Sequence, residues 1–133
     1  MSKSKAIGTR AETKVKRYFN NHGLRCERRA LAGSDDEGDL RLYLDNGTEV
    51  TVEVKAGKQT SGYGRALFSK WKIQTLTESA NSGCLQSMLV IVRYARRFTD
   101  AEVWIPNFEW WDQTQPDWTM MYIDDFVRWA GGN

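Results

Sequence analysis

The stretch from Asp39 to Lys55 constrains the fold of this chain more than any other. Asp39 to Asp45 alternates around Leu40, Leu42 and Leu44, Thr48 to Lys55 alternates around Val50, Val52 and Val54, and Asn46-Gly47 stands between the two runs. Successive strand side chains point to opposite faces, and Asn-Gly is the preferred two-residue hairpin turn. The segment is therefore predicted to be a β-hairpin with one apolar face, against which the rest of the chain must supply a core. Thr51, Glu53 and Lys55 share the other face, so Glu53 and Lys55 are neighbours. Asp39 heads the partner strand, also opposite Leu40 and Leu42, just after the Gly38 hinge.

The remaining periodicities fit helices packed on a sheet. Gly8-Thr9-Arg10-Ala11-Glu12 has capping-box spacing and Gly23 ends the next stretch, which predicts a helix over Thr9–His22. Ala11, Val15, Tyr18, Phe19 and His22 fall on one arc of it, and Arg10, Lys14, Arg17 and Asn21 on another. Leu24 to Leu31 reads as a strand, 32–38 as an acidic loop, and 56–66, with Gly57, Gly62 and Gly64, as a mobile loop. Gly57-Lys58 is not a phosphate-binding P-loop, because it lacks the preceding glycine and is followed by Gln59. A second helix is predicted over Ser69–Asn81, with Ile73, Leu76 and Ala80 inward and Lys70, Gln74 and Thr77 on another face. Strands are predicted over Met88–Tyr94 and over Ala101–Ile105, the latter ending at Pro106, and a short helix over Ile123–Ala130.

Several function classes are excluded early. The longest apolar run, Met88 to Val92, covers five residues, far short of the roughly 20 of a membrane span, and the first residues hold no apolar stretch for a signal peptide. An intracellular protein is expected, host-cytoplasmic if viral. Cys26 and Cys84 form no CxxC and read as reduced thiols, and the single His22 leaves carboxylates as the natural metal ligands. Net charge is only +2, yet residues 1–31 hold nine Lys/Arg against Glu12 and Glu27, while residues 98–133 hold one base and seven acids. A basic front of this density suits phosphate binding; its alternative is a solvated helix face. At 133 residues one domain is expected, with a core over about 7–105 and a Trp-rich extension over about 106–133.

Two carboxylates and one amine converging at a sheet edge form an arrangement used in phosphodiester hydrolysis. Carboxylates hold one or two Mg²⁺, the metal polarises a phosphoryl oxygen and acidifies water, and a lysine orients the nucleophile. The pattern Asp39-Leu40 followed by Val52-Glu53-Val54-Lys55, fourteen residues on from Asp39 to Glu53, resembles the PD-(D/E)XK nuclease signature. Gly8-Thr9-Arg10-Ala11-Glu12 resembles the N-terminal motif of archaeal-type Holliday junction resolvases. The resemblance covers about residues 7–94, with Gly38 where the PD name has proline.

It implies an α/β, restriction-endonuclease-like core, a mixed sheet flanked by helices. It also implies a Mg²⁺-dependent endonuclease, with Mn²⁺ able to substitute, acting on branched DNA as a homodimer. The site it implies is Glu12, Asp39, Glu53 and Lys55, with Arg10 and Ser34 matching further family positions. Asp39, Glu53 and the Val54 carbonyl are expected to hold the metal, with Glu12 a further candidate ligand. Lys14, Arg17, Lys58, Arg65 and Lys70 join Arg10 and Ser34 as expected DNA contacts.

Other readings of the same residues stay open. Glu12 also suits a capping partner of Thr9 or a pair with Lys16, and Ser34 suits turn chemistry. Asp35, Asp36 or Glu37 could replace Asp39. The Trp-rich stretch, including Trp104, Trp110, Trp111, Trp118 and Trp129, suits core or a dimer interface better than base stacking, because that tail is acidic. The wider alternatives are a PD-(D/E)XK nuclease of other specificity, such as a replication-repair module, and a non-catalytic DNA-binding module on the same fold.

Overall fold

The computed structural model describes residues 3–28, 39–84, 86–109 and 112–131. The hairpin forms from β2 (Leu40–Tyr43) and β3 (Glu49–Lys55), paired antiparallel with Leu40 opposite Val52. Its turn is one residue longer than predicted: the Gly47 N–H reaches the Leu44 carbonyl at 2.9 Å, and Leu44 N–H reaches Thr48 O at 2.9 Å. Gly47 then sits at φ 87°, the left-handed residue that closes a three-residue loop. Asn46 Oδ1 caps this turn by accepting the Thr48 N–H at 2.9 Å.

Around the hairpin lie α1 (Lys3–Asn21), β1 (Arg25–Arg28), α2 (Arg65–Ser82), β4 (Gln86–Ile91), β5 (Glu102–Glu109), β6 (Asp112–Tyr122) and α3 (Ile123–Trp129). The six strands follow chain order across one sheet. All neighbours are antiparallel except β3 and β4, which run parallel, with Lys55 opposite Ile91 at their carboxyl ends. A parallel pair needs a long crossover, and residues 56–85, with α2, supply it. The result is an α/β arrangement, a mixed six-stranded sheet flanked by three helices, compatible with a restriction-endonuclease-like core.

Helices α1 and α3 cover one face. Val15 and Phe19 of α1 and Phe126 of α3 pack with Leu40, Leu42, Val50, Val52, Val54, Met88 and Val103. Phe19 and Phe126 meet edge to face at 5.8 Å, and Tyr18 Oη donates to Asp124 Oδ1 at 2.7 Å, tying the two helices together. The predicted arcs of α1 hold: Val15 and Phe19 are buried, while Arg10, Lys14, Arg17 and Asn21 are exposed. The helix begins six residues earlier than the capping box predicts, so Thr9 lies inside it and Glu12 is not a cap partner.

Helix α2 covers the other face, rotated from the prediction. Ile73 is 65% exposed and Ala80 is exposed, while Trp71, Thr75, Glu78 and Ser79 are buried. Trp71 packs on Leu89 and Ile91, with Trp104 and Trp118 alongside, so two of the C-terminal tryptophans are packing residues. Strand β5 does not stop at Pro106: it continues to Glu109, and the Trp-rich segment returns as β6, a sixth strand of the same sheet.

Candidate active site

Asp39 is fixed just beyond the last β2–β3 pair. Its N–H donates to the Val52 carbonyl at 3.2 Å, and its Oδ2 accepts the Val54 N–H at 2.9 Å. In extended chain the N–H and C=O of one residue face the same neighbour, so the Val54 carbonyl opens to the Asp39 side. On the α2 face Glu53 is 3% exposed, and its Oε1 lies 3.2 Å from Lys55 Nζ. Lys55 Nζ donates to Gln74 Oε1 at 2.8 Å, and Gln74 Nε2 donates to Glu78 Oε1 at 3.0 Å. The Gln74 amide is thus oriented by an acceptor on one side and a cation on the other. Lys55 stands at the carboxyl ends of the parallel pair, where open α/β sheets form their ligand crevices.

Glu12 approaches from α1. Arg28 of β1 holds it, with Nη1 3.4 Å from Glu12 Oε2 and Nη2 donating to Thr13 Oγ1 at 2.8 Å. Burial, then the charge of Asp39 and a hydrogen bond to it, push the Glu12 carboxyl up to about 7, with Glu53 adding to the rise and Arg28 opposing it. Burial, contact with Glu78 and the charges of Asp39 and Glu78 raise Glu53 well above the carboxylate range, against the pull of Lys55. Carboxyls this close need a shared proton or a cation between them. Among the described residues the buried Glu53 Oε2 has no hydrogen-bond donor.

This donor set fits Mg²⁺, which takes one or two carboxylates, keeps several waters and shares the remaining positions with substrate phosphates. Among the described residues no three His, Cys, Asp or Glu side chains stand ready as a metal cage. Asp39 and Glu53 would be the protein carboxylates, with the Val54 carbonyl as a further oxygen.

The predicted cations separate into groups. Arg10 and Lys58 line a cleft of about 900 Å³ together with Arg93 and Tyr94, on a floor that includes Ala11, Ala56 and Val92. Lys14 places its ammonium over the Phe98 ring at 5.2 Å, toward α3, and Arg17 is exposed on α1. Arg65 and Lys70 are exposed on α2, across the sheet from α1. Ser34 lies outside the described residues, as do Asp35, Asp36 and Glu37.

The predicted mobile loop is pinned. Gly57, at φ 87° and ψ −175°, has a backbone shape that side-chain-bearing residues essentially never adopt, and the turn Lys58–Thr60 follows. Thr60 is fully buried; its hydroxyl donates to Gly57 O at 2.8 Å and accepts the Tyr94 N–H at 2.8 Å.

Sequence reasoning missed Gln74, Glu78, Arg28 and Arg93. The signal for the first two is the spacing of Trp71, Thr75, Glu78, Ser79 and Ser82, a helical stripe that is mostly polar and so carries no hydrophobic period. A scan of protein-family models finds no match to this chain, and a search of curated proteins finds none either.

Proposed function

We propose that this chain is a divalent-metal-dependent endodeoxyribonuclease whose preferred substrate is branched DNA, four-way junctions first. The observation that carries the reading is one cluster at the carboxyl end of β3: Asp39 pinned to the Val54 N–H, buried Glu53, and Lys55 held between Glu53 and Gln74. Asp39, Glu53 and the Val54 carbonyl would hold Mg²⁺, which when bound supplies Lewis-acid polarisation of a phosphoryl oxygen and a more acidic water. Lys55 presents its ammonium toward the reacting phosphate, and Gln74 fixes where that charge stands. Glu12 borders the same cluster and is suited to relaying a proton near neutral pH.

The junction preference rests on the resemblance of residues 8–12 and 39–55 to the resolvase motifs. Two symmetric cuts require two active sites, so a two-fold homodimer belongs to the same proposal. Trp129, 68% exposed, and Phe108, Met120 and Tyr122 offer apolar surface for it.

Nicking of supercoiled plasmid by wild type and Asp39→Asn, with and without Mg²⁺, tests the chemistry. Cleavage by wild type only with metal, and none by the mutant, is expected; equal behaviour of the two proteins sinks the enzyme. Competition between junction and duplex DNA, and light scattering over a dilution series, test substrate and assembly.

A further inference from the structure

We propose that the cleft lined by Arg10, Lys58, Arg93 and Tyr94 is a subsite for one unstacked nucleotide of a DNA strand, with Tyr94 as its stacking platform. The polymer's identity as DNA rests on the nuclease reading; the stacking function rests on the cleft itself.

The cleft combines three features. Its volume, about 900 Å³, lies within the roughly 300–1,000 Å³ usual for ligand sites. Among the described residues no carboxylate lines it, and neither Arg10 nor Lys58 has a carboxylate partner. Arg93 is the exception, because Glu102 Oε2 accepts from its Nη1 at 2.7 Å and its guanidinium lies 5.2 Å from the Tyr63 ring. Arg93 is thereby held in place, while Arg10 and Lys58 have no carboxylate partner among the described residues.

The third feature is Tyr94, 46% exposed although its neighbour Val92 packs against the core. Its backbone is fixed by the buried Thr60 hydroxyl, so the ring stands on a rigid base. Binding a duplex backbone needs cations alone. A ring and an apolar floor among cations is the composition of sites that take single strands, where a base stacks and its phosphates meet lysine and arginine. Bases inside a duplex are already stacked on one another, so only a nucleotide turned out of the helix reaches such a ring. Strand exchange points, gaps and flaps offer that nucleotide beside a cuttable phosphate, and uniform duplex does not.

Binding is measured by fluorescence anisotropy in EDTA, where no cleavage occurs, so the outcome is independent of whether the chain is a nuclease. The probes are a matched duplex, the same duplex with a one-nucleotide gap or flap carrying 2-aminopurine, and dTMP as a free-nucleotide control. Tyr94→Leu is expected to weaken gap or flap binding about tenfold and to abolish 2-aminopurine quenching, with duplex affinity unchanged. Tyr94→Trp is expected to restore both. The Arg10→Ala, Lys58→Ala double variant is expected to weaken both DNAs and to flatten their salt dependence by about 1.4–1.8 in log–log slope. Equal losses on gap and duplex for Tyr94→Leu, or no loss on either, overturns the stacking platform. Binding of dTMP as tight as that of the flap overturns the assignment to a polymer strand.

Discussion

Val50, Val52 and Val54 face α1 and α3 in an apolar layer. Thr51, Glu53 and Lys55, one residue out of step on the same strand, face Trp71, Gln74, Thr75, Glu78 and Ser79 of α2. Both layers are buried, and they are held by different forces. The valine layer loses water cheaply and rewards tight packing. The α2 layer buries carboxylates at a cost that hydrogen bonds only partly offset, and it keeps Glu53 Oε2 without a donor among the described residues. A chain that selected only for stability would have filled both faces alike. The contrast gives the core one face of β3 and the proposed chemistry the other.

The strongest way to break that division is Glu53→Gln. We expect plasmid nicking to fall by at least about 10³-fold, or about 4 kcal/mol, while the metal-free melting temperature holds because burial and Glu78 already keep that carboxyl in its neutral form. A large drop in melting temperature would mean that Glu53 carries the fold as well. Leu42→Ala, on the other face, should cost about 3 kcal/mol in urea unfolding and leave the activity of the folded fraction intact. Gln74→Ala sharpens the picture: about a tenfold lower kcat with KM for DNA unchanged is expected, as for a residue that positions Lys55 without binding substrate.

The smallest effect is in pH. Glu12, pushed up to about 7, and Glu53, also raised, bind protons in the folded chain that the unfolded chain has already released. Their contribution to stability is therefore full below the ordinary carboxylate range, near 4.5; the part due to Glu12 is lost as pH rises through about 7, and the part due to Glu53 goes on being lost above that. Asp124, lowered by the Tyr18 hydroxyl, acts with the opposite sign, below its ordinary 3.8 and outside this window. Without divalent metal, melting at pH 8 should come on the order of 5 °C below melting at pH 5. Mg²⁺ should recover most of that at pH 8 and little at pH 5, and a melting temperature that climbs with pH would contradict the cluster.

The apolar face was readable because it obeys a period. Alternation marked the hairpin, and the 3.6-residue repeat marked Val15 and Phe19 of α1. The same rule placed Glu53 and Lys55 side by side and Asp39 near them, and those residues do meet. The polar face defeated it. Ile73 is apolar yet exposed, and Gln74 is polar yet turned to Lys55, since α2 orients by hydrogen bonds that hydrophobic spacing does not register. Pro106 misled for a related reason: proline lacks the N–H that continues a ladder, but β5 runs through it opposite Trp118. For Glu12 local spacing left a site residue, a cap and a Lys16 partner all open, and it is the contact with Arg28 and Asp39, far along the chain, that sets it beside the hairpin.

The parallel seam between β3 and β4 has a consequence for the order in which the chain assembles. Asp39, Glu53 and Lys55 all belong to one local hairpin, and hairpins close within microseconds. Gln74, Glu78 and Ile91 arrive only after the crossover through α2 has closed a far longer loop, which is the slower event. The mutually repelling carboxylates thus first meet in water, where their charges are screened, and α2 then seals them away from it. By loop length alone, the arrangement around Lys55 forms after the hairpin that carries it, and it is lost when α2 loosens.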